Sequence, residues 1–392
     1  MIYPERFSNL PEYAFPRLRA LLAGHAPGGP DCAMTIGEPR HPMPPFVAEA
    51  LAGAVADFAR YPVNEGTHAL LDAIAGWIAR RYDVTLPPER LIALNGTREG
   101  LFNLALALCP EAKRGARPVV LMPNPFYQVY AVAAAAVGAE PVFVPATEAS
   151  GHLPDYAALS PELLDRVALA YLCSPANPQG AVAGRDRWRT LLALAEKHDF
   201  RIVADECYSE IWRDTPPPGA LEMAAETGAD PERVLAINSL SKRSNLPGLR
   251  SGFAAGGRET IRRLRQLRAY AGAPLPGPLQ AVAAAAWADE AHVEASRALY
   301  QEKYRIVDAV LAGVPGYRPP EGGFFLWLPV ADGEAAALSL FRATGVRVLP
   351  GAYLSRDTAQ GNPGAGFIRA AMVAPAAEMR AGLIRLRDHL YS

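Results

Sequence analysis

Lysine is almost missing from this chain: of 39 basic side chains only four are lysines, Lys113, Lys197, Lys242 and Lys303. Cysteine is scarce too, and Cys32, Cys109, Cys173 and Cys207 stand far apart with no CxxC pair. That spacing offers no metal-binding or disulfide framework and fits a reduced, cytoplasmic protein. Neither charge sign is in excess, 39 basic groups against 40 acidic ones giving a net charge of −1. Nothing there points to nucleic acid or to an anionic membrane. The longest apolar run, residues 131–139, is about half a membrane span, and the first residues lack the apolar core of a signal peptide. No GxGxxG follows an apolar run and there is no GxxxxGK, so dinucleotide and P-loop nucleotide binding lose their usual signals.

What is present is a long alternation. Half of the 392 residues are apolar, enough for a large core and for one large unit with a smaller one appended. From about residue 90 to 260, apolar runs at 119–122, 142–144, 167–173, 202–204, 234–237 and 252–255 alternate with helical patterns. Such alternation predicts an α/β fold with a mostly parallel sheet flanked by helices. After about residue 313, proline-rich turns separate runs at 323–328, 346–349 and 367–372, expected as strands of a smaller α+β unit. A closing helix from Ala376 to about Leu390 sets Met379, Leu383, Leu386 and Leu390 on one side. The proline- and glycine-rich start is expected to join that smaller unit. The large domain would then span residues 46–290, and the small one residues 1–45 and 291–392. Arg258, Arg262, Arg263, Arg265 and Arg268 read as the solvated face of a helix.

Three of the four lysines look ordinary, with charged neighbours and solvated positions. Lys242 differs, because it follows the apolar run VLAIN within SLSKRSNLPGLRSG, a loop rich in hydroxyls. A lysine just beyond a buried strand is partly desolvated, which lowers its pKa and makes it a nucleophile. Two chemistries use such a loop. Ser239 and Lys242 form an SxxK pair, as in serine acylases, but the accompanying SDN and KTG strings are absent. The other is imine formation with pyridoxal phosphate, its phosphate held by Ser239, Ser241 and the forked donors of Arg250.

Further residues favour the imine. Asp205 ends a strand in VADECYSE, where a carboxylate can keep a pyridine nitrogen protonated and the ring an electron sink. Tyr208 and Asn177, in LCSPANPQG, can reach the ring's phenolic oxygen. Both motifs, like Lys242, fall at carboxyl ends of expected parallel strands, where open α/β sheets bind ligands. At Gly96-Thr97-Arg98 a strand passes into a helix whose first amides suit a phosphate. Tyr127, in MPNPFYQVY, can lie flat on the ring.

In order, and over nearly the whole chain, IGEP, NGTRE, PNPFY, SPANPQG, DECY, SLSK and an arginine eight residues after the lysine resemble the class I aminotransferases of PLP fold type I. The resemblance implies pyridoxal 5′-phosphate as cofactor, a large domain with a mostly parallel seven-stranded sheet, and a homodimer with shared active sites. It implies that Lys242 holds the cofactor and shuttles the substrate's proton. Asp205, Asn177 and Tyr208 contact the ring, and Tyr127 stacks on it, though neighbouring Phe126 is not separable from it. Gly96, Thr97, Arg98, Ser239, Ser241 and Arg250 lie at the phosphate. Tyr61, in YPVNEG, is expected to reach the phosphate bound by a partner subunit. Arg369, in GFIRAAMV, matches the grip on the substrate α-carboxylate, helped by Gly37.

Longer phrases, among them SKRSNLPGLRSG and NPGAGFIRAAMVAP, resemble those members that move an amino group between N-succinyl-L,L-diaminopimelate and 2-oxoglutarate in bacterial lysine synthesis. Arg40, Arg243 and Asn245 are the candidates for reading the succinyl group and distal carboxylate. Two other readings stand beside this one: a class I aminotransferase for aromatic or short-chain amino acids, and a non-catalytic ligand sensor. The intact lysine, aspartate and arginines weigh against the sensor.

Overall fold

The computed structural model describes residues 3–359 and 361–392. Twelve strands are formed among them. They are β1 (Cys32–Ala33), β2 (Leu91–Leu94), β3 (Val119–Asn124), β4 (Glu140–Pro145), β5 (Val167–Cys173) and β6 (Arg201–Asp205), followed by β7 (Val234–Ser239), β8 (Gly252–Gly256), β9 (Phe325–Pro329), β10 (Val346–Arg347), β11 (Leu349–Pro350) and β12 (Phe367–Ala371).

Seven of these build the main sheet, in the order β2-β8-β7-β6-β5-β3-β4. Strands β3 to β7 are parallel to their neighbours among themselves, and β8 alone runs against both β7 and β2. The inner strands are near-continuous apolar runs because helices cover both faces, so every side chain of VALAYLC in β5 is buried. One face packs Trp77, Trp188 and Trp287 with the alternate residues of each strand; the other packs Leu101, Leu104, Tyr130, Ile261 and Leu264.

The expected second sheet is antiparallel, in the order β11-β12-β9. The run 346–349 divides in two: Val346 and Arg347 pair in parallel with Cys32 and Ala33, and only Leu349 and Pro350 join the sheet. Val348 alone separates the two pairings. The closing helix spans Ala376–Leu390 and buries Met379, Gly382, Leu383 and Leu386, while Leu390 is only partly covered.

Two solvated readings need correction. Arg262 and Arg263 are exposed and pair with Glu259, but Arg268 on the same helix is buried against Glu99 and the carbonyls of Asn64 and Ala93. Lys303 is buried as well. In both cases the partners lie far away in sequence, beyond the reach of local patterning. Among the described residues no helix is long and apolar enough to cross a membrane.

Candidate active site

Because β8 is reversed, Leu94 at the end of β2, Gly252 at the start of β8 and Ser239 at the end of β7 share one edge of the sheet. Asp205 and Cys173 end β6 and β5 beside them. At this carboxyl edge lies a cavity of about 310 Å³, roofed by Phe325 and Arg369 of the smaller sheets and by the 13–15 and 36–38 segments. Many of the residues singled out in the sequence lie along it. Gly37, Thr97, Arg98, Tyr127, Asn177, Asp205, Tyr208, Ser239, Ser241, Lys242, Arg250 and Arg369 all border it.

Lys242 sits on the short helix Leu240–Arg243, directly after β7. Its Nζ donates to the Gly37 carbonyl and lies 5.3 Å from the centre of the Phe324 ring. Burial pushes the amine down to about 8, with Arg369 and Arg250 adding to the fall and Cys207 and Glu38 opposing it. An amine so poised is a nucleophile at mild alkalinity.

Asp205 is buried, and burial raises its carboxyl above the usual range. Two donors hold it: Tyr130 gives its hydroxyl to Oδ2 at 2.7 Å, and Cys207 gives its thiol to Oδ1 at 2.7 Å. Tyr130 in turn stacks on Tyr171, centroids 4.4 Å apart. Neither donor was anticipated. Tyr130 belongs to the apolar helix Gln128–Ala136 and looks like core; its position three residues after Tyr127 was the available signal.

Arg369 projects from β12. Its Nη1 donates to Asn177 Oδ1 at 3.0 Å, its Nη2 to the Thr35 carbonyl at 2.7 Å, and the guanidinium covers the Phe325 ring at 4.1 Å. Burial lowers its pKa to about 10, which leaves it cationic at neutral pH. Its Nε is buried with no hydrogen-bond partner among the described residues. A buried donor left unpaired costs roughly 1–3 kcal/mol, and an incoming carboxylate relieves that cost. Tyr208 lies edge-on to Phe324, 5.3 Å between centroids, with burial raising its phenol well above the usual range.

The anion end is built around Gly96. Its φ of +78° suits glycine, and a Cβ there would collide with the Arg250 guanidinium. Gly96 precedes the helix Thr97–Leu108, whose first amides have no acceptor within the helix, and Thr97, Ser239 and Ser241 border the same cavity. Two hydroxyls, one guanidinium and a helix N-terminus suit a phosphate dianion, and Lys242 and Asp205 border the same cavity. This donor set fits pyridoxal phosphate. Phe126 and Tyr127 both border the cavity: Phe126 packs against Phe143, and the Tyr127 hydroxyl accepts from Arg98 Nε at 2.9 Å.

Other expectations fail. Arg243 turns away from the cavity: it is buried between Trp77 and Trp287 and donates to Glu290 and the Ala286 carbonyl. Successive helical residues point about 100° apart, so the neighbour of Lys242 faces the core. Arg40 pairs on the surface with Glu378 at 2.7 Å, and Asn245 donates to Ser296 at 3.2 Å. None of the three lines the cavity. Tyr61, expected to serve a partner subunit's site and not this one, is fully exposed and lies outside the cavity, which agrees with that expectation without testing it. The SxxK serine is engaged as a helix cap, Ser239 Oγ accepting from the Ser241 amide. A Ser244–His292–Asp289 array has relay distances of 2.8 and 2.5 Å, but Ser244 has no exposure to admit a substrate.

The seven-stranded α/β sheet with its appended smaller sheets is the fold-type I architecture. Comparison with known proteins narrows the class. The family model for aminotransferase class I and II matches residues 32–386. An LL-diaminopimelate aminotransferase of Dehalococcoides mccartyi is 31% identical over 393 residues, 98% of each chain. The 4-dedimethylamino-4-oxo-anhydrotetracycline transaminase of Streptomyces rimosus is 34% identical over 383 residues, covering 96% of this chain and 99% of its own. The crystal structure of an aminotransferase from Neisseria meningitidis superposes with a TM-score of 0.93 at 38% identity, over 99% of both chains. The chain belongs to the class I and II aminotransferases, and its cofactor is pyridoxal 5′-phosphate.

Proposed function

We propose that the enzyme moves an amino group between N-succinyl-L,L-diaminopimelate and 2-oxoglutarate, with Lys242 as the cofactor-bearing amine. The observation that carries the reading is the convergence of Lys242, Asp205 and Arg369 on one cavity beside a phosphate cradle. Pyridoxal phosphate, when bound, supplies an aldehyde that captures amines and a ring that accepts the electron pair left by a departing α-proton.

The protein's own groups do the rest. Arg369 binds the substrate α-carboxylate through its unpaired Nε and keeps Asn177 oriented. Lys242 takes the proton from Cα and returns it, a transfer for which an amine near pH 8 is well matched. Asp205 holds a proton at the ring nitrogen, steadied by Tyr130 and Cys207. Tyr127 supplies the stacking face. Gly96, Thr97, Ser239, Ser241 and Arg250 hold the phosphate. Tyr61 serves a partner subunit's site, a role that its exposure at the surface supports.

With Arg40 and Arg243 committed elsewhere, Arg98, which the sequence resemblance assigned to the phosphate, is a cation that can instead meet a second anion. It borders the cavity, and its partner Tyr127 is neutral. The relatives named as LL-diaminopimelate aminotransferases support a second reading, in which the free diamine is the donor. Glu38, a carboxylate on the cavity wall, would suit its distal ammonium. Comparing kcat/KM for the succinylated donor, free L,L-diaminopimelate, aspartate and phenylalanine separates these readings. The proposal requires the succinylated donor to lead; a lead for any other overturns the substrate and leaves the fold and cofactor standing.

A further inference from the structure

A second lysine, outside the cavity, is withdrawn from water. Lys303, on the helix Ala291–Leu311, is 2% exposed. Its Nζ donates to His41 Nε2 at 2.8 Å and to the Val373 carbonyl at 3.2 Å. An ammonium can donate only to a neutral imidazole, and burial together with the Lys303 charge holds His41 down at about 4. The imidazole proton then sits on Nδ1, toward Ser296 Oγ at 3.4 Å.

Three routes lead from this pair to Lys242. The first is the chain itself, because His41 follows Gly37, whose carbonyl accepts from the Lys242 amine. The second is a column of rings. His41 packs on Tyr300 with centroids 4.5 Å apart, Tyr300 stacks on Phe324 at 5.8 Å, and Phe324 faces the Lys242 amine. The third is polar, since Ser296 Oγ also accepts from Asn245, three residues beyond Lys242. A buried ammonium without a carboxylate costs several kcal/mol, and local packing does not call for one here.

We infer that the His41–Lys303 pair is a positioning element for Lys242, fixing the 37–41 segment, the Phe324 ring and the Asn245 side chain that together decide where the amine lies. The charged groups facing Lys242 itself are Asp205, Cys207, Glu38, Arg369 and Arg250. Those facing Lys303, besides His41, are Arg40 and Glu302. Removing the pair loosens the 37–41 segment and admits water. Burial is the main cause of the depressed Lys242 pKa, so hydration moves that pKa up.

The inference rests on Lys242 as the working amine, and the test keeps the two apart. In the full-length enzyme freed of cofactor, the rate of Lys242 acetylation by acetic anhydride is followed against pH by peptide mass spectrometry. In Lys303→Met, which keeps the apolar stem, the midpoint should rise by about half a unit or more. In the loaded variant kcat should fall about 10- to 100-fold, with KM for the oxo acid within about twofold. His41→Gln, which keeps Lys303 and gives it a side-chain acceptor, should by itself change the midpoint and kcat little. A folded Lys303→Met with an unmoved midpoint and kcat within about twofold of wild type makes the pair merely structural and overturns the inference. If Lys303→Met does not fold, Ser296→Ala, which keeps the His41–Lys303 bond and removes the hydroxyl shared by His41 Nδ1 and Asn245, decides it: a smaller upward shift supports the inference and none overturns it. Failure of the cofactor assignment would instead show as covalent capture at another lysine, whatever the midpoints.

Discussion

Tyr130 donates its hydroxyl to Oδ2 of Asp205 across 2.7 Å, and both groups are buried. The bond favours the ionised carboxylate in a place where burial alone disfavours it. In Tyr130→Phe the Asp205 pKa rises further, so the acid limb of the kcat–pH profile should move to higher pH. A bond to a charged group is worth roughly 1.5–3 kcal/mol, so kcat at neutral pH should fall by about ten- to a hundredfold. Cofactor affinity should change far less, because the phosphate contacts are untouched. A profile that shifts the other way, or not at all, removes Tyr130 from the proposed role.

Covalent capture identifies the working lysine. Borohydride reduction of the loaded enzyme, followed by peptide mapping, should place the cofactor on Lys242. Lys242→Ala should show no transamination above about 10⁻³ of wild type, the loss expected when a nucleophile and proton carrier is removed. Label on Lys113 or Lys303, both of which are also depressed to about 8, would move the assignment.

Subunit mixing tests the shared site. Tyr61→Ala and Lys242→Ala homodimers should each be nearly inactive. After exchange, about half of the dimers are hybrids carrying one intact site of two, so activity should recover to about a quarter of wild type. Proven exchange with no recovery places Tyr61 outside the partner's site.

Glu206 carries a pH dependence of stability. Burial pushes its carboxyl up to about 7, against the pull of bonds from the Ala220 amide and the Tyr82 hydroxyl. A raised carboxyl pKa stabilises the fold below the unfolded value near 4.5, and that stability is lost as pH climbs through 7. The loss approaches roughly 3 kcal/mol. Glu206→Gln should therefore gain stability over wild type at pH 8 and little at pH 5, measured by urea unfolding. Equal effects at the two pH values would count against a buried, titrating Glu206.

The residues that sequence made legible share one property. Lys242, Asp205 and Asn177 each follow an unbroken apolar run, and the ends of these buried parallel strands are where the sheet borders the cavity. The main-sheet strands were readable for the same reason. Arg243 and Arg40 were misplaced because adjacency in sequence does not give direction: one points into a tryptophan cluster, the other to Glu378 across the surface. Tyr130 was hidden by its apolar helix. Lys303 and Arg268 depend on His41 and Glu99, 262 and 169 positions away, and no local pattern carries such a pairing.

The reversal of β8 has a consequence for how the chain can vary. A parallel neighbour would have required a long crossover before returning to the ligand edge; an antiparallel one returns at once through residues 240–251. Lys242 and Arg250 therefore ride on a single short span anchored at both ends by sheet pairing, like two pegs on one rigid ruler. The distance from the amine to the Arg250 guanidinium is set by the length of that span and not by the docking of separate elements. Insertions within it should be barred even where neighbouring surface loops accept them freely.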